Sequence, residues 1–241
     1  MLEVLWDIRS LFLLTDEITI FGESAGAASV ILHALYPGNK GLFKRVIAES
    51  GTAISPWALL DISDFEIHLK EQSCLPDSKS CVTCLQSKDP VSLQSSTIPF
   101  GPIVDFLVDI PRNIIKGQSA VTSNSRDIFA ALNIMVGVHD LDGTLEFIRF
   151  SNMMRNSDLE FNLEFNITKN NFRTRIVPFL INETFSPEDN DTRMALERLL
   201  TFFFVDWKDP DDYVSIRKLV SDMSNDAVFF APAAQTVEAH A

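Results

Sequence analysis

One serine stands between two glycines where an apolar strand is expected to turn directly into a helix. The residues are Gly22-Glu23-Ser24-Ala25-Gly26, preceded by Ile18 to Phe21 and followed by the small and aliphatic run Ala25 to Leu35. With no loop between strand and helix, the backbone at Ser24 is forced into a strained turn. Glycines two residues away on either side let strand and helix approach without a Cβ clash. The hydroxyl then stands clear of the sheet, and the N–H of Ala25, at the start of the helix, points where an oxyanion would form. The same five residues also allow a simpler reading, in which Ser24 is the N-cap of a helix that begins with glycine nearby.

Around this junction the chain reads as α/β. Ile18 to Phe21, Arg45 to Ala48 and Ile134 to Val138 are continuous apolar runs, as expected of parallel strands buried on both faces. Helical patterns cover Ala25 to Leu35, Asp61 to Gln72, Arg193 to Phe204, Pro210 to Met223 and Asn225 to Ala239. The fourth opens on Pro-Asp-Asp, with acidic residues suited to a helix N-terminus. Gln86 to Ser125, rich in Ser, Pro and Gly, reads as loop broken by short elements. Strands alternating with helices predict a mostly parallel sheet flanked by helices. A chain of 241 residues buries enough surface for one domain or two.

Composition narrows the function. The chain carries 33 acidic against 20 basic residues, a net charge of −13. It lacks the basic cluster that neutralising phosphates requires, so no nucleic-acid partner is expected. No apolar run reaches 18 residues, and Leu11 to Leu14 is too short for a signal peptide. Cys81-Val-Thr-Cys84 spells a redox or zinc motif, but without a second pair or a nearby histidine it is thin support for a metal site. The alternative is a local disulfide, Cys74 to Cys84, leaving Cys81 free. Sequons at Asn166, Asn182 and Asn190 are glycosylation candidates. Cysteines and sequons together point toward an oxidising, secretory compartment.

Residues 17–59, "EITIFGESAGAASVILHALYPGNKGLFKRVIAESGTAISPWAL", resemble the type-B carboxylesterases, the family of cholinesterases, bile-salt-activated lipase and neuroligin-like adhesion proteins. The resemblance continues through "CLPDSKSCVTCLQSKDPVSL", "FGPIVDFLVDIPRNIIKG", "NIMVGVHDLDGTLEF" and "DPDDYVSIRKLVSDMSNDAVFFAPAAQTVEAHA". It covers the chain from residue 16 onward, more loosely between 150 and 205. It implies an α/β-hydrolase fold and hydrolysis of small-molecule or lipid esters, without cofactor or metal. It also implies that Cys74 and Cys84 are bonded and Cys81 is extra.

The resemblance implies Ser24 as nucleophile and Asp142 as the acid that orients a histidine. Asp142-Gly143 occupies the place where the family has an acidic residue before glycine; the bile-salt-lipase branch also uses Asp there, whereas cholinesterases use Glu. On its own residues Asp142 reads equally as an Asp-Gly turn. The family places a charge-tuning Glu at Glu23 and an acyl-pocket residue at Trp57, although a tryptophan after proline is more often packing.

None of the four histidines matches the family's catalytic one. His33 corresponds to a structural histidine. His68 is expected on a solvated helix face, His139 lies too near Asp142 along one loop, and His240 is expected at an exposed helix end. The upstream oxyanion loop also has no counterpart, and Phe12 to Glu17 depart from the family's approach to the nucleophile strand. The expectation is therefore a single incomplete type-B domain over residues 1–241, with 1–15 outside the family pattern. The nucleophile strand is then expected at an open edge.

Overall fold

The computed structural model describes residues 17–60, 62–74, 80–94, 101–102, 123–146, 167–184, 189–204, 208–209 and 212–241. Its centre is a three-stranded sheet in the order β1 (Thr19–Glu23), β2 (Arg45–Glu49), β3 (Asn133–Gly137). Both pairings are parallel, and the register aligns Glu23, Glu49 and Gly137 at the C-terminal edge. Among the described residues β1 is an edge strand, as its sequence context led us to expect.

Helix α1 (Ala25–Leu35) connects β1 to β2 and lies on one face of the sheet. Its buried residues Ala27, Val30, Ile31, Ala34 and Leu35 recur at helical spacing and meet Ile20, Val46 and Ala48 of the strands. Burying Val30, Ile31 and Leu35 contributes roughly 1.5–3 kcal/mol each. The same core takes Phe129 and Leu132, at the end of helix α5 (Ser123–Ala130) and just after it.

The strands were expected to be buried on both faces, and here the structure differs. Exposure alternates along them, and Phe21 (73% exposed), Ile47 and Met135 (66% exposed) line up in register on the face opposite α1. A continuous apolar run signals that both faces can be buried. It does not say that helices are present to bury them. Among the described residues α1, α5 and the end of the last helix all meet the one face.

Between β2 and β3 run α2 (Ile62–Glu71), α3 (Ser80–Gln86), α4 (Pro90–Gln94) and α5 (Ser123–Ala130). A satellite core joins α2 to α3, with Leu69, Cys74 and Cys81 buried and Cys74 bonded to Cys84. Cys81 is a buried free thiol, and no grouping of metal-binding side chains exists among the described residues. His68 is buried, 5% exposed, on the inner side of α2. This corrects the expectation of a solvated residue: the face of α2 that carries Leu69 turns inward and takes its neighbour along.

Beyond β3 a helical layer has its own core. Helix α6 spans 169–184 and opens into π geometry over Phe172–Ile176. It is followed by α7 (Asn190–Phe203) and α8 (Tyr213–Asn225), then a second π segment, Asp226–Phe230, which leads into α9 (Ala231–His240). Asp212 caps α8 by accepting from the N–H groups of Val214 and Ser215, as the acidic start predicts. The Ser215 hydroxyl and these amides hold its carboxyl below the usual carboxylate range. Phe172, Ile176, Ile181, Val220, Met223 and Phe229 fill the core of this layer. No described helix is long and apolar enough to cross a membrane.

Candidate active site

The two parallel pairings bring three strand ends to one edge, and hydrogen bonds extend the ladder past β1 and β2. The Ser24 N–H donates to Glu49 O (2.8 Å), and the Ser50 N–H donates to Gly137 O (2.7 Å). Ser24 has φ 57° and ψ −118°, a backbone conformation a non-glycine residue rarely adopts. Its side chain makes no capping hydrogen bond. The N-cap reading of Ser24 therefore fails on geometry: the cap position is occupied, but the hydroxyl is not used as a cap and the backbone is not extended. The side chain is half-buried at the head of α1, where the first amides lack helical acceptors.

Glycine at position 22 is a steric requirement. A Cβ there would fall on the carbonyl carbon and oxygen of Gly26. Gly22→Ala must push β1 and α1 apart where both are backbone, and we expect it to destabilise the 241-residue chain by about 3 kcal/mol in urea unfolding. An unchanged unfolding midpoint would mean that the strand–helix junction is looser than described.

Gly51 performs a similar service just past the end of the next strand. A Cβ on it would stand 2.7 Å from Ser24 O and 2.8 Å from Trp57 Cη2. The Trp57 indole thus lies beside the turn that carries Ser24. Its other neighbour is Phe229 in the second π segment, with ring centroids 6.0 Å apart. Sequence reading marked Trp57 but missed Gly51, Ser50 and Phe229. One signal was available: Glu49-Ser50 repeats Glu23-Ser24, and Ser50 also takes positive φ (55°). The two serines differ in access, since Ser50 is buried (6% exposed). Glu23 is exposed and pairs in register with Glu49, which puts two carboxylates side by side at this edge.

Asp142 begins a 3₁₀ turn, Asp142–Leu145, five residues after β3 ends. Its carboxylate accepts from the backbone N–H of His139 at 2.8 Å. The following Gly143 is buried against α8, where a Cβ would fall on Ser221 O and Asn225 N. Ser24 and the Asp142 loop therefore leave the same edge of the sheet from β1 and β3, with only β2 between them, roughly 10 Å from strand to strand.

The histidines lie elsewhere or face outward. His240 sits at the N-terminal end of β3, with Nε2 2.8 Å from Leu132 O and its ring packed edge-on against Phe129 (5.5 Å). It is half-buried, not the exposed helix end expected, because α9 runs back alongside β3 and α5. His33, in the last turn of α1, takes the Asn39 amide at Nδ1 (3.1 Å), and burial pushes its pKa down. His139 is exposed on the Asp142 loop. Asn182 and Asn190 are exposed on α6 and α7, while Asn166 lies outside the described residues.

Strand, sharp serine turn and helix, followed by an acidic loop two strands away, define an α/β-hydrolase frame. A model of the carboxylesterase family matches residues 15–241. The chain belongs to that family. Bile salt-activated lipase of Rattus norvegicus is 39% identical over 140 residues, covering 54% of this chain and 22% of that protein. Neuroligin-2 of the same species is 28% identical over 236 residues, covering 94% of this chain and 26% of that protein. Cholinesterase 2 of Branchiostoma lanceolatum is 28% identical, covering 90% of this chain and 63% of that protein. The chain thus spans about a quarter of the length of the first two relatives.

Proposed function

We propose that this chain is part of a serine carboxylic-ester hydrolase, with Ser24 as nucleophile and Asp142 as the acid that orients a histidine. The observation that carries the reading is the Ser24 backbone, held at positive φ on the strand–helix junction with its hydroxyl unused as a cap. In this reading Ser24 Oγ attacks the ester carbonyl and its proton passes to an imidazole. The N–H of Ala25 bonds the oxyanion as the alcohol leaves with that proton, and water then releases the acid. Trp57 borders the acyl side, and Glu23 adds negative charge beside the nucleophile. The substrate class is small-molecule or lipid esters.

In this reading the base is an imidazole of a longer parent protein, since His33, His68, His139 and His240 do not match the family's catalytic histidine. A serine without its base is a poor nucleophile at neutral pH. The expected result with p-nitrophenyl butyrate is turnover by the full-length protein and none above buffer by the 241-residue polypeptide. Turnover by the polypeptide that Ser24→Ala removes would overturn the second half of this reading. The disulfide and the exposed sequons at Asn182 and Asn190 favour a secreted or extracellular, glycosylated parent.

The match to neuroligin-2 covers much more of this chain than the lipase match, which favours a second reading: a non-catalytic adhesion or interaction protein on the same scaffold. A full-length protein that is folded and inert toward esters would support it.

A further inference from the structure

Helix α7 uses only one side for the core. Leu196 and Leu200 pack inward, as does Phe204 just past its end. Met194, Arg198 and Phe202, spaced four residues apart, form a second row that faces the neighbouring α6. Lys169, Arg173 and Pro178 of α6 supply the opposite wall of a groove of about 1080 Å³. Arg193 Nη1 ties the two helices together by donating to Asn182 Oδ1 at 2.7 Å.

The charge of this groove runs against that of the chain. In a molecule of net charge −13, three cations converge here, and none of them is in an ion pair among the described residues. Among the described residues a single carboxylate, Glu197, shares the lining. Beside the cations lie Met194 (45% exposed) and Phe202 (61% exposed), the latter edge-on to Phe203. Guanidinium groups pair with carboxylates through two parallel hydrogen bonds, and Met194 facing Pro178 offers cover to a hydrocarbon chain. The volume suits a single amphiphile of drug size or somewhat larger. A concave slot is poorly shaped for a flat anionic membrane, and a chain of net charge −13 repels a polyanion.

We propose that the α6–α7 groove binds a long-chain carboxylate, its head on Arg173 and Arg198 with Lys169 nearby and its tail along Met194 and Pro178. Among the described residues the site is built from 169–202, and it stands whether or not Ser24 is a nucleophile.

The test uses dodecanoate below its micelle concentration with the 241-residue chain, followed by calorimetry. A diazirine-bearing dodecanoate maps the contacts by mass spectrometry. The expected result is one saturable site with crosslinks confined to 167–204. Dodecanol, which has the tail without the charge, and Arg173→Gln/Arg198→Gln should each weaken binding at least tenfold. Both arginines are exposed, and the milder Lys169→Gln should weaken binding severalfold in a chain of unchanged circular dichroism. Ser24→Ala should bind as the parent does. Absence of saturable binding, crosslinks centred on the Ser24 turn, or full affinity in the double arginine variant would overturn the proposal.

Discussion

Ser24→Ala in the full-length protein is expected to lower ester turnover about 10⁶-fold, about 8 kcal/mol of barrier, with little change in substrate affinity. The size of the effect follows from what the hydroxyl does in the proposed reaction: it forms the acyl bond. Ser50 has nearly the same backbone angle at the end of the neighbouring strand, but its side chain is buried, whereas Ser24 stands at the head of α1. The variant should fold as the parent does, because the Ser24 hydroxyl holds no capping bond and the junction itself is fixed by Gly22 and by the Ser24 N–H bond to Glu49. Steady-state kinetics on a soluble p-nitrophenyl ester checks this; a loss below tenfold would move the nucleophile elsewhere.

Asp142→Asn should lower turnover about 10⁴-fold, about 5 kcal/mol of barrier, in the same assay. An amide keeps the size of the side chain and can still accept from the His139 N–H, so the loop should stay in place. What it loses is the negative charge that holds an imidazole in the right tautomer and stabilises it once protonated. This separates the acid from a plain Asp-Gly turn: a turn residue would tolerate asparagine well. Activity within tenfold of the parent would leave Asp142 a turn residue and shift attention to Asp140, its exposed neighbour.

The parts legible in the sequence were those fixed by local sterics and chemistry. Helix α1 runs from Ala25 to Leu35 as read, because a strained serine starts it and its apolar residues keep one helical face. The Cys74–Cys84 bond was implied by the family likeness and is present, with Cys81 left as a buried thiol. What escaped depends on contacts far apart in the chain. Nothing near Gly143 announces that it must seat against Ser221 and Asn225, or that Trp57 meets Phe229. His68 and His240 were misjudged for the same reason: their surroundings come from packing of α2 and α9 that no local pattern encodes. The open face with Phe21 and Met135 shows the converse limit. An apolar strand reports its capacity for burial, and the elements able to supply it are encoded elsewhere.

The most direct measurement is mass spectrometry of the full-length protein after reaction with a fluorophosphonate, which phosphonylates only an activated serine. The account predicts a single adduct on the peptide containing Ser24, lost in both Ser24→Ala and Asp142→Asn. An adduct on another serine, or a folded protein that takes up no label, would contradict it.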